Sequence, residues 1–148
     1  MPKAATTGWY SRGYLPHLNV PGLLQSITFH LADSLPKPVL TEILTHTEPG
    51  DGERLRRIEH WLDAGHGACW LRQPEIGALV EDALLHFDGA RYRMLTWVVM
   101  PNHVHCLIET FADYGLADVV QAWKSFTAKQ ANRLLGRHGA FWGRDYFD

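Results

Sequence analysis

The stretch Met94-Leu-Thr-Trp-Val-Val-Met-Pro-Asn-His-Val-His-Cys-Leu-Ile-Glu109 sets two histidines, one residue apart, inside an apolar run with the composition of a β-strand. Strand alternation projects His103 and His105 from one face and Val104, Cys106 and Ile108 from the other. Two imidazoles on a rigid element offer half of a divalent-metal site. A sheet face with two partly exposed histidines fits the same spacing, because two ligands do not complete a site. The preceding residues, from about Tyr92 to Met100, read as a second strand, and Pro101-Asn102 separates the two. Strands so closely joined form an antiparallel pair, with proline at the break because it has no N–H to give to the ladder.

Outward from this pair the chain alternates helix and strand signals. Leu24 to Leu31 alternates and is β-rich, and Pro36 and Pro38 end it. Glu48-Pro-Gly-Asp-Gly52 is a loop whose Asp51 or Gly52 opens a helix from Glu53 to Asp63, stopped by Gly65 and Gly67. Pro74 suits the first turn of a helix running to Phe87, with Ile76, Leu79, Val80, Ala83 and Leu84 at helical spacing. Asp88-Gly89 is a turn. From Leu116 to about Leu135, Val119, Val120, Trp123, Phe126, Thr127, Ala131 and Leu134 mark one face of a long amphipathic helix, which Gly136 and Gly139 terminate. Phe141 to Phe147 reads as a last strand. Residues 1–22, rich in glycine and proline among aromatics, read as an irregular arm. Trp97 and Trp123 are expected in the core. This order predicts an α+β fold, a ferredoxin-like sandwich with helices on one face of an antiparallel sheet.

With 148 residues, 46% of them hydrophobic, the chain suffices for one compact domain and strains to make two. A net charge of −2 does not advertise nucleic-acid binding, so any attraction to a polyanion must be local. Arg54, Arg56 and Arg57 on one helix, and Lys124, Lys129, Arg133 and Arg137 on another, are the candidates; solvated helix faces are the bland reading of both runs. Cys69 and Cys106 are far apart in sequence, which argues against a disulfide scaffold or a structural zinc site. No stretch approaches the ~20 apolar residues of a membrane span, and no secretory signal is seen, so a cytoplasmic protein without membrane contact is expected.

The words Trp97-Val-Val-Met-Pro-Asn-His-Val-His105, Trp123-Lys-Ser-Phe-Thr127, Asn132-Arg-Leu-Leu-Gly136 and Phe141-Trp-Gly-Arg-Asp-Tyr-Phe-Asp148 occur in that order. With Tyr10-Ser-Arg-Gly-Tyr-Leu-Pro-His17, Cys69-Trp-Leu-Arg72 and Ala83-Leu-Leu-His-Phe-Asp-Gly89, they resemble the REP-associated tyrosine transposases of the His-hydrophobic-His single-strand endonuclease superfamily. The resemblance implies a DNA transposase that cuts and rejoins single-stranded hairpin DNA of the repetitive extragenic palindrome type through a 5′-phosphotyrosine intermediate. It implies Mg2+ or Mn2+ as the ion and His103 and His105 as its ligands. A phenol with a pKa near 10 is a poor nucleophile at neutral pH, which is why such chemistry needs a cation on the phosphate.

In that family the catalytic tyrosine lies on a helix beyond the segment matching Phe141 to Asp148. Tyr146 matches an aromatic strand position instead, so the catalytic residue is unknown here, and a C-terminally truncated, inactive form is expected. The alternative reading is a nonenzymatic hairpin-DNA binding protein; a purely structural or metal-binding α+β domain is a third. Arg12 and Tyr14 in the arm, beside Trp9 and Tyr10, have the chemistry to stack on unpaired bases. Lys124, Ser125 and Lys129 are candidate phosphate contacts. Asn102 is expected to hold the loop or a histidine tautomer. A homodimer, or a mixed dimer with an intact relative, is a possible partner arrangement.

Overall fold

The computed structural model describes residues 8–11 and 16–148, so Arg12 and Tyr14 lie outside the described residues. Where an irregular arm is expected, β1 (Gly8–Ser11) pairs antiparallel with β2 (Pro16–Asn19). Asn19, buried at the end of this ribbon, accepts the Leu116 backbone N–H at 3.0 Å and so caps the helix that begins there.

The main sheet holds β3 (Leu24–Leu31), β4 (Tyr92–Val99), β5 (His103–Thr110) and β6 (Trp142–Phe147) in the spatial order β4-β5-β3-β6, every neighbour antiparallel. The first and third strands of this set lie side by side at the centre, with the second and fourth at the edges. That is the ferredoxin-like arrangement. The β4–β5 hairpin turns on Pro101-Asn102, closed by Met100 N–H donating to His103 C=O at 2.8 Å.

One face of the sheet presents Ile27, Phe29 and Leu31 from β3 and Val104, Cys106 and Ile108 from β5, the alternate residues of each strand. They pack against Ile76, Val80 and Leu84 of α3 (Pro74–His86) and against Val119, Val120, Trp123 and Ala131 of α4 (Leu116–Leu135). Full burial of each such side chain contributes about 1.5–3 kcal/mol, so this layer carries most of the hydrophobic stabilisation. Burial also pushes the Cys106 thiol up to about 12, which makes it an inert core residue. Gly136 closes α4 in the left-handed conformation at φ 62°, with Arg137 N–H donating back to Asn132 C=O at 3.0 Å.

The other face departs from the one-sided plan. A helix absent from the sequence reading, α1 (Lys37–His46), precedes α2 (Gly52–Asp63), and Ile43, Ile58 and Leu62 from the two cluster with Leu35 and with Phe147 of β6. Pro36 and Pro38 do end β3, but Pro38 also sits in the first turn of α1, where its missing N–H costs nothing. The opening of α2 is as expected: Asp51 accepts Glu53 N–H at 2.9 Å.

Lys124 turns inward from α4 and is buried, its ammonium donating to the carbonyls of Gly143 at 2.6 Å and Asp145 at 3.1 Å. It thereby pins the irregular part of β6, where the pairing with β3 slips between Phe29 and Leu31. Burial, partly opposed by Asp145, lowers its pKa from the 10.5 of a free lysine to about 8. The folded value is below the unfolded one, so below pH 8 both states hold the proton and folding carries the whole desolvation cost. Between 8 and 10.5 the folded chain releases the proton first, and stability rises with pH. Relative to Lys124→Met, the wild type is therefore expected to gain up to about 3 kcal/mol across that window, read by urea unfolding at several pH values. A difference that stays flat with pH would show that the ammonium is not desolvated.

Candidate metal and nucleic-acid site

The histidine face is built by register. β3 and β5 pair so that Thr28 lies opposite His105 and His30 opposite His103, putting three imidazoles and one hydroxyl on the side of the sheet that α2 covers. The rings of His103 and His105 stand perpendicular with centroids 4.6 Å apart. Thr28 Oγ1 lies 2.8 Å from His105 Nδ1, which fixes that ring from the neighbouring strand.

His103 is held more tightly. It is 1% exposed, and its Nδ1 is 2.7 Å from Asn102 Oδ1, which can only accept. The ring proton therefore sits on Nδ1, and Nε2 is a bare lone pair. Asn102 is itself buried, donating through Nδ2 to His66 C=O at 3.2 Å, so its amide orientation is set from both ends. Burial, reinforced by His105 and partly offset by Asp63, lowers the His103 pKa to about 4, which keeps the imidazole neutral. Its Nε2 has no hydrogen-bond partner. A buried imidazole with one nitrogen locked to an oxygen and the other unpartnered is the state in which histidine binds a metal.

His30 repeats the pattern. It is buried, its Nδ1 lies 2.8 Å from Leu31 C=O and 2.9 Å from Ser34 Oγ, and its Nε2 also lacks a partner. Burial lowers its pKa too, although the Leu31 carbonyl opposes the shift. Neither His30 nor the α2 carboxylates were singled out from the sequence. Glu59 Oε1 comes to 3.7 Å from His105 Nδ1, and Asp63 Oδ1 to 3.5 Å from His103 Nε2. Their i,i+4 spacing, on the helix that also carries Ile58 and Leu62, was the available signal.

These residues fit a divalent ion in donor chemistry. Among the described residues, however, no three histidine, cysteine, aspartate or glutamate side chains are gathered closely enough to enclose one. The two histidines are brought side by side without a complete ligand set around them.

The other candidates are not brought to it. Ser125 and Lys129 are exposed on α4, which packs on the opposite face of the sheet. Lys124, buried under β6, offers no ammonium to a phosphate. Arg54 is also buried, its guanidinium donating to Thr47 Oγ1 at 2.9 Å and to the Leu44 carbonyl at 3.3 Å. Arg56 and Arg57 both pair with Glu53 on the surface. Lys129, Arg133 and Arg137 line a cavity of about 500 Å³ at the end of α4. Tyr92, Tyr114 and Tyr146 all pack with the α3–α4 core, away from the histidines. Trp97, expected inside, is 37% exposed on β4 and donates to Glu81 Oε2 at 3.1 Å.

Residues 84–148 match the family described as Transposase IS200 like. That stretch, 65 of the 148 residues, is similar to the IS200-like transposases. Two solved structures are similar to the chain. One is a REP-associated tyrosine transposase bound to a REP hairpin, 14% identical, with TM-score 0.48, covering 91% of this chain and 59% of that one. The other is a Deinococcus radiodurans R1 protein assigned as a transposase, 15% identical, with TM-score 0.43, covering 93% of this chain and 81% of that one. The chain thus spans 59% of the length of the hairpin-bound structure. No curated protein matches it. The IS200-like stretch contains β4, β5, α4 and β6, hence Asn102, His103 and His105, whereas His30, Glu59 and Asp63 lie upstream of it. No helix among the described residues is long and apolar enough to cross a membrane.

Proposed function

We propose that this chain is the DNA-handling part of a transposase, which grips single-stranded hairpin DNA and sets a phosphate against a divalent ion, Mg2+ or Mn2+, on His103 and His105. The observation that carries the reading is the buried, unpartnered Nε2 of His103, with its tautomer locked by Asn102. An ion bound there would withdraw charge from the phosphate oxygens as a Lewis acid and hold the scissile bond in line. Asn102 and Thr28 orient the two imidazoles, and α2 shields His103 from water.

A phosphotyrosine step needs a tyrosine on this face. Tyr92, Tyr114 and Tyr146 pack on the other. That placement favours binding without strand cleavage by these three tyrosines, the nonenzymatic alternative, for the described residues. The phosphate grip is assigned to Lys129, Arg133 and Arg137, with Ser125 and the arm residues Arg12 and Tyr14 as further contacts. We infer a cytoplasmic location from this reading as a DNA-handling protein.

The reading is tested by titrating a labelled DNA hairpin with and without Mn2+ at several salt concentrations. Binding is expected to tighten with Mn2+ and weaken as salt rises. His103→Ala is expected to lose the Mn2+ increment, at least tenfold, while keeping the salt-dependent part. Equal affinity for hairpin and duplex DNA, or an Mn2+ effect that survives in His103→Ala, would reject it.

A further inference from the structure

We propose that the loop of residues 65–69 selects the tautomer of His103: it holds the His66 carbonyl where only one orientation of the Asn102 amide is tolerated, and Asp33 and Gly67 are the positioning residues that keep it there. The bearing of this on function rests on the reading of His103 given above. Asp33 and Gly67 both lie outside the stretch similar to the IS200-like transposases.

The neutral His103 ring carries one proton, and its surroundings offer two ways to hold it. In the observed one, Nδ1–H donates to Asn102 Oδ1 at 2.7 Å and Nε2 is left as a bare lone pair. In the other, the Asn102 amide is turned over, Nδ2–H donates to a bare Nδ1, and the proton moves to Nε2, which faces Asp63 Oδ1 at 3.5 Å. Judged at the ring alone the second arrangement is better satisfied, because it points a donor at the carboxylate instead of a lone pair. The far end of the amide forbids it. Asn102 Nδ2 donates to the His66 carbonyl at 3.2 Å, and turning the amide over would press Oδ1 against that oxygen, two acceptors face to face in a residue 1% exposed. The backbone there cannot shift to relieve them. Asn102 C=O accepts Leu31 N–H at 2.9 Å, and Pro101 C=O accepts Leu71 N–H at 3.2 Å.

The His66 carbonyl is thus the deciding group, and the loop that carries it is fastened in an uncommon conformation. Gly65, Gly67 and Cys69 have φ of 78°, 90° and 53°. Such backbone is unusual for a side chain like that of Cys69 and persists where the surroundings hold it. Here Asp33 does the holding. Ala68 N–H donates to Asp33 Oδ2 at 2.9 Å, and Gly67 lies so close that a Cβ at position 67 would come to 2.8 Å from the Asp33 carbonyl oxygen. On the other side of the loop the His66 ring packs on Trp61 with centroids 5.6 Å apart.

Nitrogen NMR of the histidine rings in the whole, metal-free chain at neutral pH separates the two tautomers directly. Wild-type His103 is expected as Nδ1–H. Asp33→Ala should raise its ratio of Nε2–H to Nδ1–H about tenfold, the order of one net hydrogen bond. Gly67→Ala, which displaces the loop instead of releasing it, should move the ratio the same way. Asp33→Asn, whose amide oxygen can still accept Ala68 N–H, should restore the wild-type ratio. His30, whose Nδ1 bonds Leu31 C=O at 2.8 Å on the same face of the sheet, should stay Nδ1–H throughout. A wild-type His103 in the Nε2–H form, a ratio indifferent to both Asp33→Ala and Gly67→Ala, or a His30 signal that moves with that of His103 would each overturn the inference. The hairpin titration keeps it apart from the reading it rests on. A ratio that follows Asp33 while wild type shows no Mn2+ increment leaves the selector standing and removes the metal; an unmoved ratio beside an intact increment does the reverse.

Discussion

Trp123→Ala is expected to lose about 3–5 kcal/mol of folding free energy, the cost of emptying a large buried aromatic site. For a domain whose total stability is about 5–15 kcal/mol, that is enough to leave a large unfolded fraction near 37 °C. The indole is 4% exposed and stacks on Phe29 with centroids 6.2 Å apart. It also meets Tyr92 edge-on at 5.3 Å, and its Nε1 donates to the Tyr92 hydroxyl at 3.0 Å. That hydroxyl donates in turn to Leu84 C=O at 2.6 Å, so one side chain joins α4, β4 and α3 through a buried polar relay. Trp123→Phe keeps most of the volume and should lose only about 1–2 kcal/mol, the hydrogen bond and a little packing. Urea unfolding of the two variants separates the contributions, and equal losses would mean that the relay, and not the volume, holds the three elements together.

The two tryptophans expected inside show what a single sequence can and cannot convey. Trp123 falls on the apolar stripe of a twenty-residue helix, and that long periodic pattern leaves little freedom. Trp97 falls on a strand that turns out to be an edge, and on a bulged one: the pairing slips between Met94 and Thr96, so strict alternation no longer tells which way the later residues point. The four strands of the main sheet, α2, α3 and α4 were legible within a residue or two because turn residues bracket each of them, whereas the β1–β2 ribbon falls where an irregular arm was expected. The helix α1 was not, because proline signals a strand end and a helix start with the same letter.

Of the site, the histidine pair was legible from strand alternation, and Asn102 from its position at the hairpin turn. Its partners were not. Thr28 and His30 reach the site through β3–β5 register, and Asp63 through the docking of α2 on the sheet. Both are long-range events that no local spacing encodes. Lys124 failed as a phosphate contact for the same reason: its neighbours on α4 are exposed, and only the carbonyls of β6 draw it inward.

Gly143→Val should cost about 3 kcal/mol or more, and Gly143→Ala about 1–3, the range for overpacking a filled interior. A Cβ at position 143 would come to 2.4 Å from His30 Cε1 and 2.7 Å from His30 Nε2. A flexible side-chain tip would move aside cheaply; this ring is bolted. Its Nδ1 bonds Leu31 C=O and Ser34 Oγ, and its far side lies parallel to Phe147 at 5.8 Å. Nor is β6 free to retreat, since the Gly143 carbonyl holds the Lys124 ammonium at 2.6 Å. The strain therefore passes to His30, and through it to His103, its cross-strand partner. A double-mutant cycle decides the matter: in a His30→Ala background, Gly143→Ala should become nearly neutral, giving a coupling energy of about 1–3 kcal/mol. Additive losses would place the strain in the backbone of β6, and the absence of a side chain at 143 would then have no bearing on the histidine face.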